Sequence, residues 1–403
     1  MMKIQSISKM RGRIKVRIPI ALLFLFILFF YLQNFTMMST TLCNLIMAVS
    51  GAACFLYEAG NRRNNTTRYM ILYTIAMISL SFLCKSVSDN KSIQFIVTIM
   101  SYSGIAMALL YEDIKPDVYK KIYYIAVFWY IVRHLLGLAN QYAVADEKNQ
   151  YIFNKGGALS TDIVLLILYL LMAAAYYRKQ EKVGYIPVLL GAIPVFLSLK
   201  RMGIIIWLLL VFFQLLYDEK KARFKIAKAI PLIVIVMFAA YYLATTIFSS
   251  FLQRFIERFA KDGVSISGLA DSRLGIWKAY IQNLFHIETF VFGVSFEVEE
   301  ILRIYRGNAH NVILNCHATV GIFGVMMNLL LSIRAFWGYI KSKYYYLAGL
   351  AIIFFLRGMS DYVFWFNWGD IVWLLFIFYP QIYDIKGTRC KYTMGNKGKP
   401  DEA

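Results

Sequence analysis

The 403-residue sequence predicts an all-α polytopic membrane protein, and both its composition and the length of its apolar runs support this fold class. Hydrophobic residues make up 60% of the chain and charged residues only 16%, with a mean hydropathy of +0.57. Soluble globular proteins carry about 25% charged residues. Apolar runs of about 20 residues recur between short polar segments, and backbone groups in lipid must be satisfied within their own segment, which favours helices.

The apolar runs place about twelve transmembrane helices along the chain. Their predicted bounds are 19–36, 39–58, 69–85, 92–111, 121–141, 159–177, 184–199, 202–217, 229–249, 310–333, 344–358 and 363–384. The predicted organisation is a basic N-terminus (1–18), spans one to nine (19–249), a long polar loop (250–309), spans ten to twelve (310–384) and a polar tail (385–403). The seventh and eighth spans are short, and a tight turn that ends at Arg201 joins them.

The distribution of Lys and Arg predicts the orientation of these spans. With the N-terminus inside, the inner segments carry roughly twice as many basic residues as the outer ones, and half of the outer ones lie in 250–309. The prediction is a multi-pass protein of the bacterial cytoplasmic membrane, with both termini cytoplasmic and the long loop outside. The net charge of +20 follows mainly from this orientation and from anionic lipid, so nucleic-acid binding is not predicted.

The long loop has the pattern of a helical lid that lies on the bilayer. An amphipathic helix is predicted over 250–263, a second helix over 273–285 and a third over 296–306. In the second helix, Arg273 and Trp277 are four residues apart and therefore share a face.

The tenth span is predicted to begin at His310, at the outer membrane boundary. His310, Leu314, His317, Gly321 and Gly324 fall on one stripe at helical spacing, and the two glycines permit close helix packing. A helix N-terminus at this boundary favours anionic groups. Within the stripe, His317 fits a packed polar residue better than a catalytic one.

Ionisable residues within spans are costly and usually functional. In this chain they concentrate at the predicted outer ends of the helices, whereas the inner halves are almost wholly apolar. The outer set consists of Arg133, His134, Asp162, Arg201, Arg357, Asp361 and Asp370. This asymmetry predicts a cavity that is open outside and closed inside. Simpler interpretations exist: Arg357 and Asp361 also fit an i,i+4 pair at a helix end, and Arg201 fits a side chain that snorkels to headgroups.

An ordered set of short motifs lies between 198 and 330. It consists of Arg201 at a short outer turn, Arg273 followed by Trp277, Gly293, and His310-Asn311-x-x-Leu314 leading to Gly321-x-x-Gly324. In order, spacing and membrane side, these motifs resemble the O-antigen polymerase and ligase family of bacterial membrane glycosyltransferases. Thr319 departs from the pattern, since many relatives carry an acidic residue there.

The resemblance implies a GT-C-like membrane enzyme whose donor is an oligosaccharide attached to undecaprenyl diphosphate. The reducing-end sugar is transferred to a hydroxyl of an acceptor glycan, and arginines stabilise the departing diphosphate. The expected catalytic residues are Arg201, Arg273 and His310, with His310 as general base or phosphate ligand. The expected substrate-binding residues are Trp277, Asn311, Arg357, Asp361 and Arg133, and Asp361 is also a weaker candidate base.

Several hypotheses on function stay open. The first hypothesis is an enzyme that polymerises lipid-linked repeat units. The second is a ligase that uses the same donor but transfers the glycan to lipid A core or another acceptor. A flippase or other carrier of lipid-linked oligosaccharide is the alternative from a different class. No Asp-x-Asp motif lies on the outer side, so no metal or other cofactor is predicted. Expected partners are the donor, the acceptor glycan, membrane lipids, a flippase and a chain-length regulator.

Overall fold

The computed structural model describes residues 18–35, 40–62, 64–84, 92–143, 161–179, 181–198, 200–218, 223–224, 276–278, 280–294, 309–361 and 363–382. These residues are almost entirely helical. The helices are α1 (Ile18–Phe35), α2 (Thr40–Asn61), α3 (Asn65–Leu83), α4 (Ser92–Tyr111), α5 (Pro116–Ala143), α6 (Thr161–Arg178), α7 (Ile186–Leu197), α8 (Arg201–Leu216), α9 (Ile287–Phe292), α10 (Val312–Lys341), α11 (Tyr345–Met359) and α12 (Asp370–Ile382). Two-residue strands, β1 (Tyr217–Asp218) and β2 (Arg223–Phe224), pair antiparallel after α8.

Helices coincide with eleven of the predicted spans, and the ninth, 229–249, lies outside the described residues. Within the described ranges, four segments are both long and apolar enough to cross a membrane: Thr41–Asn61, Asn65–Leu83, Thr161–Arg178 and Val312–Lys341. Six further apolar helices are shorter. The helical fold, with several helices able to cross a membrane, is therefore confirmed for the described residues, whereas the count of twelve spans stays a prediction.

The interior of the bundle is formed by α4, α6 and α12. Residues 101–111 of α4 and 371–379 of α12 are all buried, as are nearly all those of α6. The surrounding helices carry exposed leucine, isoleucine and phenylalanine side chains along their outer faces. A helix that is apolar all round is expected where one face meets protein and the other meets lipid.

The twelfth predicted span begins later than expected. Residues 363–369 are not helical, although most of them are buried, and α12 begins at Asp370. The Asp370 carboxylate accepts hydrogen bonds from the backbone N–H groups of Trp365 and Phe366, the latter at 2.6 Å. Both donors have positive φ, at 56° and 79°. The carboxylate therefore holds a compact loop against the helix start, and an apolar pattern alone does not distinguish that loop from a helical turn.

The tenth predicted span, 310–333, is not one continuous helix. Gly321 has φ 63° and ψ −170°, a region of backbone conformation that is essentially restricted to glycine. The amide Nδ2 of Asn328 lies 3.5 Å from the thiol of Cys316, which shows that the chain folds back sharply at Gly321. In a straight helix, twelve residues would separate them by about 18 Å. Gly321 therefore divides α10 into a short arm, 312–320, and a long arm, 322–341, instead of serving only for helix packing.

Substitution of Gly321 by alanine is expected to destabilise the protein strongly. A Cβ atom there would lie 2.1 Å from the carbonyl oxygen of Val291. Backbone strain of this kind costs about 1–3 kcal/mol and overpacking adds about 1–3 kcal/mol. The measurement is the thermal unfolding midpoint of the detergent-purified variant. Gly60→Ala is the matched control, since a Cβ atom at Gly60 meets nothing within 4 Å. Equal midpoints for the two variants would contradict the break at Gly321.

A polar layer lies at the end of the bundle opposite to Asp162. The prediction that the inner halves of the helices are almost wholly apolar missed this layer. Arg62 donates to Glu112 Oε1 at 2.9 Å and also to Glu58, and both glutamates are buried. Arg178 at the end of α6 donates to the carbonyl oxygen of Leu109. About 24 Å of helix separates Asp162 from Arg178. The glutamates stand at the ends of apolar runs, where a sequence does not show which side chains turn inward.

Candidate functional site

The centre of the candidate site is a buried ion-pair network around Arg357, at the end of α11. Its Nε donates to Oδ2 of Asp162 at 2.7 Å, and its Nη2 donates to Oδ2 of Asp361 at 3.3 Å. The side chains of Arg357 and Asp162 are only 3% and 2% exposed. Nη1 also contacts the hydroxyl of Ser360 at 3.3 Å. Arg357 and Asp361 thus form the predicted i,i+4 pair, but as part of a larger network that joins α6 to α11.

His310 extends this network toward the surface. Its Nδ1 lies 3.3 Å from Oδ1 of Asp361, and the two side chains are 33% and 25% exposed. His310 does not lie on the helix as predicted. It precedes α10 with φ 49°, a left-handed conformation that is uncommon for non-glycine residues. The predicted stripe of five residues is therefore wrong at both ends of the short arm, since His310 lies outside the helix and Gly321 breaks it.

Asn311 is the N-cap of α10. Its side-chain oxygen accepts hydrogen bonds from the backbone N–H groups of Ile313 and Leu314, at 2.9 and 3.2 Å. Its amide Nδ2 donates to the carbonyl oxygen of Met359 at 3.1 Å. A cap satisfies backbone donors that the helix itself cannot pair. Asn311, predicted to bind substrate, therefore joins the start of α10 to the end of α11 and fixes the position of His310.

Trp277 supports the backbone next to His310. Its Nε1 donates to the carbonyl oxygen of Ala309 at 2.8 Å. The Ala309 N–H in turn donates to Oδ1 of Asn315 at 3.1 Å. Both hydrogen bonds hold the residue that precedes the left-handed His310. The indole, predicted to bind substrate, thus also has a positioning role.

Substitution of Trp277 by phenylalanine is expected to lower the thermal unfolding midpoint slightly. The variant keeps an aromatic ring but loses the hydrogen bond to the carbonyl oxygen of Ala309, which is worth about 0.5–1.5 kcal/mol. The measurement is the unfolding midpoint of the detergent-purified variant. Trp337→Phe, on the exposed side of α10, is the control. Equal midpoints for the two variants would contradict the positioning role of Trp277.

A helical hairpin packs over the short arm of α10, and we call it the lid hairpin: residues 276–278 and 280–294. Its first leg is helical over 276–278 and 280–283, and its second leg is α9. The His317 imidazole joins the two legs. Nδ1 lies 2.7 Å from the hydroxyl of Tyr280, and Nε2 lies 2.8 Å from the carbonyl oxygen of Phe290. Since a carbonyl only accepts, Nε2 carries the proton and Nδ1 accepts from the tyrosine. Burial raises the pKa of Tyr280, so its hydroxyl stays protonated as the donor.

Basic residues from α5 and from just before α8 lie near the start of α6, next to Asp162. The Nε2 atom of His134 lies 3.2 Å from the hydroxyl of Thr161, which places Arg133 and His134 beside the start of α6. Lys200, just before α8, is close enough to interact electrostatically with His134. At Gly203, a Cβ atom would lie 2.7 Å from Cβ of Asp162. Glycine thus lets the first turn of α8 approach the carboxylate of Asp162.

The structure brings some predicted site residues together and does not reach others. His310, Asp361 and Arg357 are in one network, and Asn311 and Trp277 hold the chain beside it. The backbone of Arg201 begins α8, two residues before Gly203, while its side chain lies outside the described part of the chain. Arg273 lies outside the described residues altogether.

Two residues of the site region were not among the predicted catalytic or substrate-binding residues. Asp162 was predicted only as a member of the outer set, because it is separated from Arg357 by 195 residues and no local spacing indicates their pairing. Tyr280 lies within the predicted helix 273–285, and its hydrogen bond to His317 depends on how two helices meet.

The geometry supports acid–base chemistry at His310. A carboxylate at Nδ1 favours the tautomer whose basic lone pair is on Nε2, and it stabilises the imidazolium formed when that nitrogen accepts a proton. Arg357 holds the carboxylate of Asp361 from the other side. Cationic residues from α5 and from the region before α8 lie across Asp162 from this pair.

Comparison of the chain with protein-family models, with curated proteins and with solved structures finds no match.

Proposed function

We propose that the protein is a membrane glycosyltransferase that polymerises undecaprenyl-diphosphate-linked oligosaccharide repeat units. The observation that carries the proposal is the linked series Asp162–Arg357–Asp361–His310 at one end of an apolar helical bundle. Buried ionisable groups in a membrane protein are costly and mark functional sites. A carboxylate-oriented histidine beside cationic residues suits a reaction that deprotonates a hydroxyl and releases a diphosphate.

In the proposed reaction, His310 acts as the general base. Nε2 accepts the proton of an acceptor hydroxyl while that oxygen attacks the anomeric carbon of the donor sugar. The bond between this carbon and the diphosphate oxygen breaks, and its electron pair leaves with polyprenyl diphosphate. Arg201 and Arg273 neutralise the negative charge that develops on the leaving group. The reaction needs neither a metal nor a sugar nucleotide.

The burial of Arg357 supports a role for it different from those proposed for Arg201 and Arg273. Its guanidinium is 3% exposed and lies between the carboxylates of Asp162 and Asp361. A diphosphate would have to displace these carboxylates to bind there. Arg357 is therefore a positioning residue that fixes Asp361, and through it His310. Arg133, at the edge of the site, keeps its expected role in substrate binding.

The proposed membrane arrangement has twelve spans in a GT-C-like architecture, with both termini in the cytoplasm. The end of the bundle that carries Asp162 and Arg357 then faces outward, and the layer around Arg62, Glu112 and Arg178 faces the cytoplasm. The positive-inside rule supports this orientation. The protein belongs, on this proposal, in the cytoplasmic membrane of a bacterium and builds O-antigen, capsular or exopolysaccharide.

The same site also suits a ligase, because donor and leaving group are identical and only the acceptor differs. The predicted loops over 143–158 and 286–309 would then contact that acceptor. A carrier of lipid-linked oligosaccharide is favoured by one observation, the break in α10 at Gly321. Broken helices form the substrate sites of many transporters.

Incubation of purified protein with a lipid-linked repeat unit as sole substrate separates these functions. A ladder of longer lipid-linked glycans is expected for a polymerase, and it should persist in the presence of a metal chelator. Reaction only after addition of a separate acceptor would indicate a ligase. Movement of the intact lipid between the leaflets of proteoliposomes, without any glycosyl transfer, would indicate a carrier and overturn the proposal.

A further inference from the structure

The first leg of the lid hairpin is apolar on two faces. One face packs inward: Ile276 and Tyr280 are buried in a small core with Val294, Ala309 and Ala318. Another face carries Ile281, and Phe285 follows in the turn after this leg; these side chains are 50% and 86% exposed. A helix that is apolar on opposite faces must contact an apolar environment on both. The inner core accounts for only one of them.

The tip of the lid hairpin is the most exposed apolar feature of the described structure. Phe285 and Ile287, on either side of the turn between the two legs, are 86% and 81% exposed, more than any other large apolar residue in the described ranges. Large apolar side chains exposed together mark surfaces that bind protein, membrane or ligand. A polar strip with Lys278 and Gln282, also four residues apart, lies elsewhere on the first leg.

The packing of α10 shows the level at which this hairpin lies. A Cβ atom at Gly324 would lie 3.8 Å from a methyl group of Leu80, one turn before α3 ends. Gly321, one turn earlier in α10, lies against the backbone of Val291 and Phe292. The second leg of the hairpin is therefore level with the end of α3, where a spanning helix leaves the bilayer.

Exposed apolar side chains of two helices that can cross a membrane lie at the same level as the hairpin. Leu83 at the end of α3 and Phe323 at the start of the long arm of α10 are 67% and 59% exposed. Phe292, whose backbone lies against Gly321, is itself 39% exposed. The lipid that would surround α3 and α10 is therefore the apolar environment nearest to the hairpin.

We propose that the tip of the lid hairpin, 285–287, is inserted among the lipid acyl chains of the leaflet next to the His310–Asp361 network. The polar strip with Lys278 and Gln282 then faces headgroups and water. The inference rests on the membrane placement of α3 and α10 and not on glycosyl transfer. It assigns the hairpin a bilayer anchor, and His317 joins that anchor to the short arm that follows His310.

Site-specific fluorescent labelling tests the proposal without an activity assay. Single cysteines replace Phe285, Ile287 or Gln282 in a chain whose five native cysteines are changed to alanine, and each is labelled with a nitrobenzoxadiazole dye. The proteins are reconstituted in vesicles of phosphatidylethanolamine and phosphatidylglycerol. Dyes at 285 and 287 should be quenched by acyl-chain nitroxide lipids and protected from aqueous iodide. The dye at 282 should be quenched by iodide.

Two outcomes would overturn the proposal. Iodide quenching at 285 and 287 would place the tip in water, and protection from both quenchers would mean that another segment of this chain covers it. Unmodified protein provides a second measurement if the cysteine-free chain fails to fold. A lipid-soluble diazirine should then label the peptide that contains Phe285 and Ile287, and absence of label there would equally refute the insertion.

Discussion

Arg357→Ala is expected to abolish glycan elongation and to lower the thermal unfolding midpoint. The substitution leaves the carboxylate of Asp162, only 2% exposed, without the guanidinium that lies 2.7 Å away. Removal of one partner of a buried ion pair costs about 3–5 kcal/mol, because the other charge remains buried. Elongation is lost as well, since Asp361 no longer has the contact that fixes it beside His310. The two measurements are the unfolding midpoint in detergent and the glycan ladder from a lipid-linked repeat unit.

Two further variants separate folding from positioning. Arg334→Ala removes an exposed arginine of α10, whose guanidinium carbon lies 5.7 Å from the centre of the Tyr69 ring, and should leave both measurements unchanged. The double variant Arg357→Met with Asp162→Asn removes both charges of the buried pair. It should recover most of the stability, since replacing a whole buried pair is often neutral, but not the elongation. Elongation by this double variant would contradict the positioning role of Arg357.

His310→Ala is expected to reduce elongation by about 10²–10⁴-fold, the contribution of a well-placed general base. His310 is 33% exposed and precedes the helix, so its removal should change the unfolding midpoint little. His286→Ala is the matched control, because this exposed histidine lies in the same region of the chain but at the turn of the lid hairpin. Full-length glycan from the His310 variant would remove His310 from the mechanism.

Asp361→Asn distinguishes a base that the carboxylate orients from a histidine that binds phosphate. The amide keeps the shape at 3.3 Å from Nδ1 but no longer stabilises an imidazolium. An oriented base predicts a large loss in turnover with a nearly unchanged Michaelis constant for the donor. A phosphate-binding histidine predicts little loss in turnover and no rise in the Michaelis constant, because removal of a nearby negative charge does not weaken binding of an anion. The measurement is initial rate against donor concentration.

Helix positions could be predicted from the sequence because a bilayer leaves few alternatives. An apolar run of sufficient length must pair its own backbone, so α1 to α8 fall close to their predicted bounds. The prediction failed where single side chains or glycines override the apolar pattern. The carboxylate of Asp370 stabilises a buried loop in place of a helical turn, and Gly321 reverses the chain inside an apolar run.

The site could be predicted as a set of residues but not as a geometry. His310, Arg357 and Asp361 were identifiable because charge is rare within spans. Their connection through Asp162 depends on α6 packing beside α11, a contact between segments 195 residues apart. Asn311 was likewise predicted to bind substrate, because the sequence does not distinguish an asparagine that caps the start of a helix from one that contacts a ligand.

The pairing of Asp162 with Arg357 has a consequence for biosynthesis. During translation, α6 enters the membrane long before the ribosome has made α11, because 195 residues lie between the two charges. An acidic residue at the centre of a spanning helix raises the free energy of insertion by about 2.5–3.5 kcal/mol, although a position near the helix end lowers this penalty. The nascent chain therefore carries this penalty until α11, which contains Arg357, has been synthesised. We expect the ion pair with Arg357 to remove this penalty only after α11 has entered the membrane beside α6.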